Sequence, residues 1–212
     1  MASSLPFVLL TAFANHSSGG NPAAVVFLQH DLPTKILQNI AQNLNQPITA
    51  FVSTPLGSKN DGTATFGIRW FTVDIEIPIC GHGTLAAAKA VFTRHGLVSE
   101  KVEVIEFLTV SHGVVTARKI DGGWIEIQLP STIVEELSLD EKNGLQPMVA
   151  KAFGKDSIAV NFIGKGGKGF EHCLMVELDE IENIAASKVD ANALVSQDFC
   201  YQSLMDSRRI FE

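Results

Sequence analysis

The segment from Arg69 to Phe92 constrains the fold of this chain more than any other stretch. It opens with bulky β-formers such as Trp70 and closes in an alanine-rich run that favours a helix over residues 85–92. Between them stands Cys80-Gly81-His82-Gly83, whose glycines permit a sharp strand-to-helix turn. A helix start carries free N–H groups and a partial positive charge. The turn therefore predicts an anion-binding site and a Cys80 thiol that ionises more easily than a free cysteine.

Composition limits the class of protein and its partners. The 212 residues are 46% hydrophobic, which suits one large domain or two of about 100 residues. A net charge of −7 without a basic patch argues against nucleic acid and anionic membranes as partners. No apolar run reaches the roughly 18 residues of a membrane span, and no basic region precedes the apolar N-terminus as in a signal peptide.

Cysteine usage indicates the compartment. The three cysteines, Cys80, Cys173 and Cys200, are odd in number and widely spaced. This pattern is typical of reduced thiols, so we expect a cytoplasmic protein rather than a disulfide framework. The chain has no CxxC and no His-x₃-His motif, so we expect no metal site.

The first half of the chain is predicted to be rich in strands. Apolar and β-branched runs predict strands at 6–13, 23–28, 49–53, 63–71, 102–110 and 113–120, and a strand at 124–129 begins the second half. A helix should begin at Asp31-Leu32-Pro33 and end at Pro47, with a stripe of Ile36, Ile40 and Leu44 widened by Leu37 and Ala41. Asp121-Gly122-Gly123 is a strong hairpin-turn signal. We place a domain boundary between residues 122 and 123.

The second half, 123–212, repeats the strand-rich pattern but lacks an alanine-rich helix. The acidic segment 132–143 is predicted to be a solvated connector, followed by a helix at 145–153, strands at 157–163 and 172–178, and a short helix at 179–187. The glycine-rich run 164–169 is not a phosphate loop, because Lys168 is followed by Gly169 rather than Ser or Thr. We expect a flexible hairpin loop there.

Two separated motifs resemble the phenazine-biosynthesis PhzF-like family. The first is Gly20-Asn21-Pro22-Ala23-Ala24-Val25. The second joins Arg69-Trp70-Phe71-Thr72 and Glu76 to Cys80-Gly81-His82-Gly83-Thr84-Leu85-Ala86. The resemblance covers the first half well and the second half loosely, ending near Asp206.

The resemblance implies a diaminopimelate epimerase-like α+β fold. Two pseudo-symmetric curled mixed sheets each wrap a central helix, and the active site lies in the cleft between them. It also implies isomerase chemistry, in which an acid/base group moves a proton on a small carboxylate-bearing substrate without cofactor or metal. In the epimerase relatives two cysteines, one per domain, share this proton transfer.

The chain departs from the family pattern at three places. Ile48 occupies the position of the usual proton-shuttling glutamate, and isoleucine cannot transfer a proton. The threonine-proline usual after Trp-Phe is Thr72-Val73 here. The EDPV-x-GSA segment that starts the second central helix is absent, so the second sheet is expected to be incomplete. An uncovered apolar face predicts a second half that is weakly stable alone or covered by a partner chain, hence a homodimer.

These motifs name the candidate site residues. Cys80 and His82 are the candidate catalytic groups, while a competing interpretation makes Cys80 a packing residue and the glycines a plain turn. The resemblance suggests substrate binding by Gly20, Asn21, Glu76, Gly81, Gly83, Thr84 and Asp206. For Glu76 an ion pair with Arg69 is an equal alternative, and Gly20-Asn21 also fits an ordinary turn.

Three functions remain open from the sequence. The first is a PhzF-like isomerase with weakened or lost activity, and the second is a non-catalytic binding or dimerisation protein that retains the fold. A cysteine-nucleophile hydrolase is the third. It needs a histidine within hydrogen-bond reach of the thiol, and we expect His82 to project from a diverging face.

Overall fold

The chain folds as two compact units, Met1–Pro130 and Ser131–Glu212. The computed structural model describes residues 4–14, 19–58, 62–171, 173–184, 187–194 and 201–206. No helix in these described ranges is long and apolar enough to cross a bilayer. Each unit has its own sheet and at least one helix, which confirms the expected α+β class.

One curled sheet wraps one helix in the first unit. Its elements are β1 (Phe7–Ala12), β2 (Asn21–Phe27), α1 (Thr34–Leu44), β3 (Thr49–Val52), β4 (Gly57–Ser58), β5 (Thr63–Phe71), β6 (Glu76–Ile77), α2 (Gly81–Thr93), β7 (Val104–Leu108), β8 (Val114–Lys119) and β9 (Ile125–Gln128). The strand order is β1-β2-β3-β5-β7-β8-β9, and β4 and β6 pair with β5. Helix α2 contacts β1, β2 and β3 as well as β8 and β9, so the two ends of the sheet curl round it.

The sheet has two different faces. The inner face packs on α2, whose buried alanines let the helix approach closely. The outer face is covered by α1, which places Leu37 and Ala41 against Phe51 and Phe71. Because both faces are covered, all four residues of β3 are buried.

The predicted stripe of α1 is displaced in the structure. Leu37 and Ala41 form the buried centre, while Ile36 is 43% exposed. The helix begins at Thr34 after Pro33 rather than at Asp31, and no side chain caps it. The spacing of four residues in the sequence does not show which of two neighbouring faces of α1 is buried. Contact with Phe51 and Phe71 determines the buried face.

The boundary between the units falls after Pro130 rather than after residue 122. Strand β9 pairs antiparallel with β8, from Thr116 opposite Gln128 to Lys119 opposite Ile125. The turn predicted at Asp121-Gly122-Gly123 is confirmed and joins these two strands. A cut at residue 122 would therefore separate the two strands of one hairpin.

The second unit has a smaller sheet with one helix packed on it. Its elements are β10 (Val134–Glu136), α3 (Leu139–Ala152), β11 (Val160–Gly166), β12 (Cys173–Leu178) and β13 (Tyr201–Asp206). The strand order is β10-β11-β12-β13, with β13 parallel to β12. Val149, Ala150 and Ala152 of α3 share one core with Leu174, Val176 and Leu178 of β12.

The acidic segment before residue 144 is partly helical, so its prediction as a connector is wrong. Ser138 caps α3 by accepting a hydrogen bond from the Glu141 N–H, and the Glu141 side chain bonds back to the Ser138 N–H. This capping box satisfies two N–H groups at the helix start. Asp140 and Glu141 then lie in the first turn, where negative charge complements the helix dipole.

The predicted flexible loop at 164–169 is also partly wrong, because β11 continues to Gly166. Gly164 pairs with Met175, and Gly166 pairs with Val134. A Cβ at Gly164 would lie 2.7 Å from the Phe162 ring and 2.7 Å from Val134. These glycines therefore allow close packing within a strand. Within the described part of 179–187, the predicted helix is replaced by 3₁₀ structure that includes the turn Glu180–Glu182.

A matched pair of glycine substitutions tests this packing. We expect Gly164→Ala to lower the free energy of unfolding by about 1–3 kcal/mol, because the added methyl group overpacks the strand. Gly144→Ala, in α3 with no atom within 4 Å of the new methyl group, should raise it by up to about 1 kcal/mol. Urea unfolding followed by circular dichroism measures both. A stabilised Gly164→Ala would contradict the packing role.

Candidate functional site

The start of α2 is built by Cys80, which caps the helix in an extended conformation (φ −149°, ψ 114°). Its Sγ accepts a hydrogen bond from the Gly83 N–H at 3.4 Å. Its carbonyl oxygen accepts from the Thr84 N–H at 3.0 Å and from the Thr84 hydroxyl at 2.6 Å. The side chains of Cys80 and Thr84 thus stabilise the first turn of α2, and Thr84 is completely buried.

Gly83 lets the first turn of α2 pack directly on the sheet. A Cβ on Gly83 would lie 2.8 Å from Ile48 Cγ2, 2.9 Å from Trp70 Cδ1 and 3.3 Å from Cys80 Sγ. Distances below 3 Å are too short for carbon atoms that are not bonded to each other. Ile48 and Trp70 therefore form the sheet side of the helix start.

Strand alternation explains why these two residues meet. Ala50 pairs with Trp70, and residues 48 and 50 lie on the same face because side chains alternate along a strand. Ile48 is thus a diagonal neighbour of Trp70 on the inner face. From the sequence, Trp70 was interpreted only as a strand former. The alternation of side chains between the two faces of 48–52 and 69–71 is the signal that could have placed it against the helix start.

The Trp70 side chain carries a buried donor with no acceptor. Its Nε1 is buried, and no group in the described ranges accepts a hydrogen bond from it. That nitrogen is bonded to Cδ1, the ring atom that approaches Gly83. An unsatisfied buried donor costs roughly 1–3 kcal/mol. An acceptor that bonds to this N–H would therefore stabilise the helix start.

His82 points back to the cysteine that caps the helix. Its Nδ1 lies 3.3 Å from Cys80 Sγ, so the prediction that His82 projects from a diverging face is wrong. His82 lies in the first turn of α2, close enough for its imidazole to fold back over the N-cap residue Cys80. His82 Nε2 is buried and makes no hydrogen bond of ordinary geometry with the described residues, although the Pro22 backbone carbonyl lies close enough to the ring to favour its protonated form. Whichever tautomer is present, that nitrogen needs a hydrogen-bond partner.

Burial controls the protonation of the pair. Desolvation raises the pKa of the Cys80 thiol, although the N–H groups of Gly83 and His82 act in the opposite direction. Desolvation also lowers the pKa of His82, opposed by the Pro22 backbone carbonyl. The prediction of a more acidic thiol is therefore wrong, because loss of water outweighs the helix start. The arrangement favours a neutral thiol beside a neutral imidazole.

Glu76 lies in a different hydrogen-bond network. Its carboxylate accepts two hydrogen bonds from Arg69, at 2.7 Å from Nε and 2.6 Å from Nη2. The same Nη2 donates to the Thr34 hydroxyl of α1. Glu76 pairs with Phe71 on the outer face, whereas Trp70 lies on the inner face. The structure thus shows the Arg69 ion pair and does not bring Glu76 to the start of α2.

The Gly20-Asn21 segment adjoins β1 and the histidine. Gly20 has φ +77°, and a Cβ there would lie 2.2 Å from the Ala12 carbonyl oxygen, so only glycine fits. Asn21 is exposed and begins β2 opposite Ala12. The next residue, Pro22, contributes the carbonyl that favours protonation of His82. The turn is therefore a structural requirement, and it is Pro22, not Asn21, that is seen to act on the histidine.

The remaining candidates have simpler positions. Gly81 opens α2 beside Leu129, whose Cδ1 would lie 3.5 Å from an added Cβ. Asp206 ends β13 in the second unit, opposite Leu178, and its side chain is outside the described part. Within that described part no three His, Cys, Asp or Glu residues lie close enough to hold a metal ion.

Comparison with known proteins identifies the family. The family model described as phenazine biosynthesis-like protein, PhzC-PhzF, matches residues 10–208. The chain belongs to the PhzF-like family. A human phenazine biosynthesis-like domain-containing protein is 36% identical over 127 residues, which cover 59% of this chain and 42% of the human protein. The chain thus matches less than half the length of that relative.

One further relative and two solved structures support the fold. An uncharacterized isomerase of Pseudomonas aeruginosa is 31% identical over 192 residues, covering 90% of this chain and 63% of that protein. A PhzF-family crystal structure from Enterococcus faecalis matches with TM-score 0.65 and 28% identity over 93% of this chain and 66% of that chain. A predicted epimerase of Pseudomonas aeruginosa matches with TM-score 0.64, 20% identity and coverage of 95% and 70%. The predicted epimerase-like fold is confirmed.

Two glycines in the first turn of α2 of this PhzF-like protein provide a stability test. Gly83→Ala should lower the free energy of unfolding by about 1–3 kcal/mol, since the methyl group meets Ile48 and Trp70. Gly81→Ala, which gains only an ordinary contact with Leu129, should change it by less than about 1 kcal/mol. Chemical unfolding measures both variants. Equal losses would show that the turn does not pack as described.

The raised pKa of Cys80 predicts its reactivity. Alkylation of Cys80 by iodoacetamide, followed by mass spectrometry against pH, should have a midpoint above that of N-acetylcysteine in the same buffer, because burial disfavours the thiolate. Protein unfolded in urea is the matched control and should show the ordinary midpoint. A midpoint in the folded protein below that of N-acetylcysteine would mean that the helix start, and not burial, controls the thiol.

Proposed function

We propose that this chain is a PhzF-like isomerase that moves a proton on a small carboxylate-bearing metabolite in the cytoplasm. The observation that carries the proposal is the contact between Cys80 Sγ and His82 Nδ1 at the start of α2. Isomerase-named relatives support the same class of reaction. Neither a metal nor an organic cofactor is required by this scheme.

The substrate carboxylate would bind at the helix start. The Gly81 N–H makes no hydrogen bond within the described ranges, and it lies in the first turn, where the helix dipole favours an anion. The Trp70 indole N–H is a second donor without an acceptor in the same region. Because Trp70 is only 1% exposed, the Gly81 N–H is the donor that a substrate carboxylate would meet first.

His82 is the group proposed to move the proton. When the Nδ1–H donates to Cys80 Sγ, Nε2 is unprotonated and can accept a proton, and the nearby Pro22 backbone carbonyl favours the form that has accepted it. Nε2 removes a proton from a carbon next to the substrate's carboxylate and returns it to another carbon, so the enzyme is unchanged after each turnover. The lowered pKa of His82 favours a neutral imidazole at neutral pH, in which one nitrogen can accept a proton.

One observation favours a second function, a binding protein that retains the fold without catalysis. Ile48 is 2% exposed and occupies the site wall where the family pattern has a glutamate. An apolar side chain can shape a pocket but cannot transfer a proton. Under this alternative the helix start binds a carboxylate, and the Cys80–His82 pair is structural.

Isotope exchange separates the two functions. The full chain is incubated in D₂O with a panel of small unsaturated and amino carboxylates, and deuterium incorporation is followed by NMR. Catalysis predicts deuterium at a substrate carbon, with loss of about 10²-fold or more in His82→Ala and a smaller loss in Cys80→Ala. Cys173→Ala, at a partly buried cysteine in the second unit, is the control. Binding without exchange across the panel supports the second function.

Restoring a carboxyl group at position 48 provides a sharper test. Ile48→Glu should raise the exchange rate by about 10²-fold over Ile48→Gln, which has nearly the same shape but cannot transfer a proton. Both variants need a cooperative unfolding transition, because a buried polar side chain lowers stability. Equal exchange rates in two folded variants would mean that this wall of the site does not face the reacting carbon.

A further inference from the structure

Strand β6 is the last regular structure before the candidate site. It contains only Glu76 and Ile77, and it pairs with the end of β5, where Ile77 lies opposite Trp70. Ile77 is buried on the inner face beside Trp70, whose ring approaches Gly83 at the start of α2. A strand of two residues forms few ladder hydrogen bonds, so other contacts are needed to hold β6 in place.

An ion pair on the outer face supplies one of these contacts. The Arg69 guanidinium donates from Nε and Nη2 to the two carboxylate oxygens of Glu76, at 2.7 and 2.6 Å. This forked arrangement fixes the direction of the carboxylate as well as its distance. Arg69 is itself held, because Nη2 also donates to the Thr34 hydroxyl at 2.7 Å and the guanidinium lies 5.2 Å from the centre of the Phe71 ring. The pair thus joins β6 to β5 and to α1.

Helix α1 contacts the β5–β6 hairpin at a second point, the turn between its strands. Gln38 Nε2 donates to the Thr72 carbonyl at 2.9 Å and to the Val73 carbonyl at 3.0 Å. Within the turn, the Thr72 hydroxyl accepts from the Ile75 N–H at 3.0 Å. Thr34 and Gln38 are four residues apart, so they lie on the same face of the helix. One face of α1 therefore holds both the ion pair and the turn of the hairpin.

The backbone runs directly from this hairpin to the helix start. Only residues 77–79 separate Glu76 from the N-cap residue Cys80. One of the three is Pro78, whose ring fixes φ and limits how far the connection can bend. A displacement of β6 would therefore move Cys80 and separate its sulfur from His82 Nδ1, which lies 3.3 Å away.

We propose that the contacts between α1 and the β5–β6 hairpin position the Cys80–His82 pair. The residues that make them are Gln38, Arg69 and Glu76. By holding the hairpin, they keep the helix start packed on the sheet and shielded from water. They are positioning residues, because they act through the backbone of β6. Since the helix start is taken as the reacting site, this role rests on the proposed function.

Water that reaches the helix start would have a signature in the two side chains of the pair. Burial raises the pKa of the Cys80 thiol and lowers the pKa of His82. Hydration would return both to their ordinary values, so the thiol pKa would fall and the histidine pKa would rise. Removing the charge of Glu76 without moving the hairpin would lower both pKa values, because a lost negative charge disfavours imidazolium and favours thiolate. The direction of the His82 shift therefore separates hydration from direct electrostatics.

Two shape-matched variants of the full chain test the role. Glu76→Gln removes the charge-assisted hydrogen bonds, and Gln38→Met removes the donor to the turn without changing any charge. In both variants we expect the histidine pKa to rise and the thiol pKa to fall, each by about 0.5–1 pH unit. Glu126→Gln and Gln42→Met, at exposed positions of β9 and α1, are the matched controls and should leave both pKa values unchanged.

Both pKa values are measured in the absence of substrate. NMR titration gives that of His82, whose signal among the six histidines is assigned by its loss in His82→Gln. The pH dependence of Cys80 alkylation by iodoacetamide, followed by mass spectrometry, gives that of the thiol. Circular dichroism melts show that each variant is folded.

Deuterium exchange connects the positioning role to the proposed isomerase activity. If the natural chain exchanges deuterium into a substrate, Glu76→Gln and Gln38→Met should each lower the rate by about 10-fold, because a misplaced base reacts slowly. If the natural chain shows no exchange but both pKa values shift as expected, the positioning role holds and the proposed activity does not. If it shows exchange and neither variant shifts either pKa, the activity holds and the positioning role fails.

Two sets of pKa results would overturn the positioning role. One is unchanged pKa values in both folded variants. The other is a fall of both pKa values in Glu76→Gln together with no change in Gln38→Met, which would leave only direct electrostatics. If Glu76→Gln does not fold, Gln38→Met decides the question with Arg69→Lys, which keeps the charge but loses the fork and should shift both pKa values in the hydration direction.

Discussion

The contact between the bare Cα of Gly83 and the side chains of Ile48 and Trp70 determines how the first unit is built. It lets the first turn of α2 lie directly on β3 and β5. Cys80 can then cap the helix with both its sulfur and its carbonyl oxygen, and His82 folds back over the cap. A larger residue at position 83 would move the helix away and separate these groups.

Close packing also explains the electrostatics of the site. A helix start stabilises negative charge, but only by about 0.3–1 kcal/mol at an exposed position. Removing a thiolate from water costs more than that, and Cys80 is only 8% exposed. The same loss of water lowers the pKa of the neighbouring imidazole. Burial therefore produces a neutral pair in which the histidine, not the cysteine, is suited to accept a proton.

Local features of this chain could be predicted from the sequence, and features that depend on distant contacts could not. The turn at Cys80 and the hairpin at Asp121-Gly122-Gly123 follow from nearby residues and were predicted. The face of α1 depends on Phe51 and Phe71, and the close packing of Gly164 depends on Val134. The acidity of Cys80 depends on how deeply the whole sheet buries it, which the motif alone does not encode.

Ile48 changes what this site can stabilise. A carboxyl group at so buried a position would lose its water, so isoleucine removes a destabilising group from the core. It does not satisfy the Trp70 N–H or His82 Nε2, neither of which makes a hydrogen bond of ordinary geometry within the described ranges. Unsatisfied buried groups cost roughly 1–3 kcal/mol each, and the apolar Ile48 side chain cannot offset this because it makes no hydrogen bond. A polar ligand could satisfy these groups, which is the physical basis of the proposed carboxylate binding at this helix start.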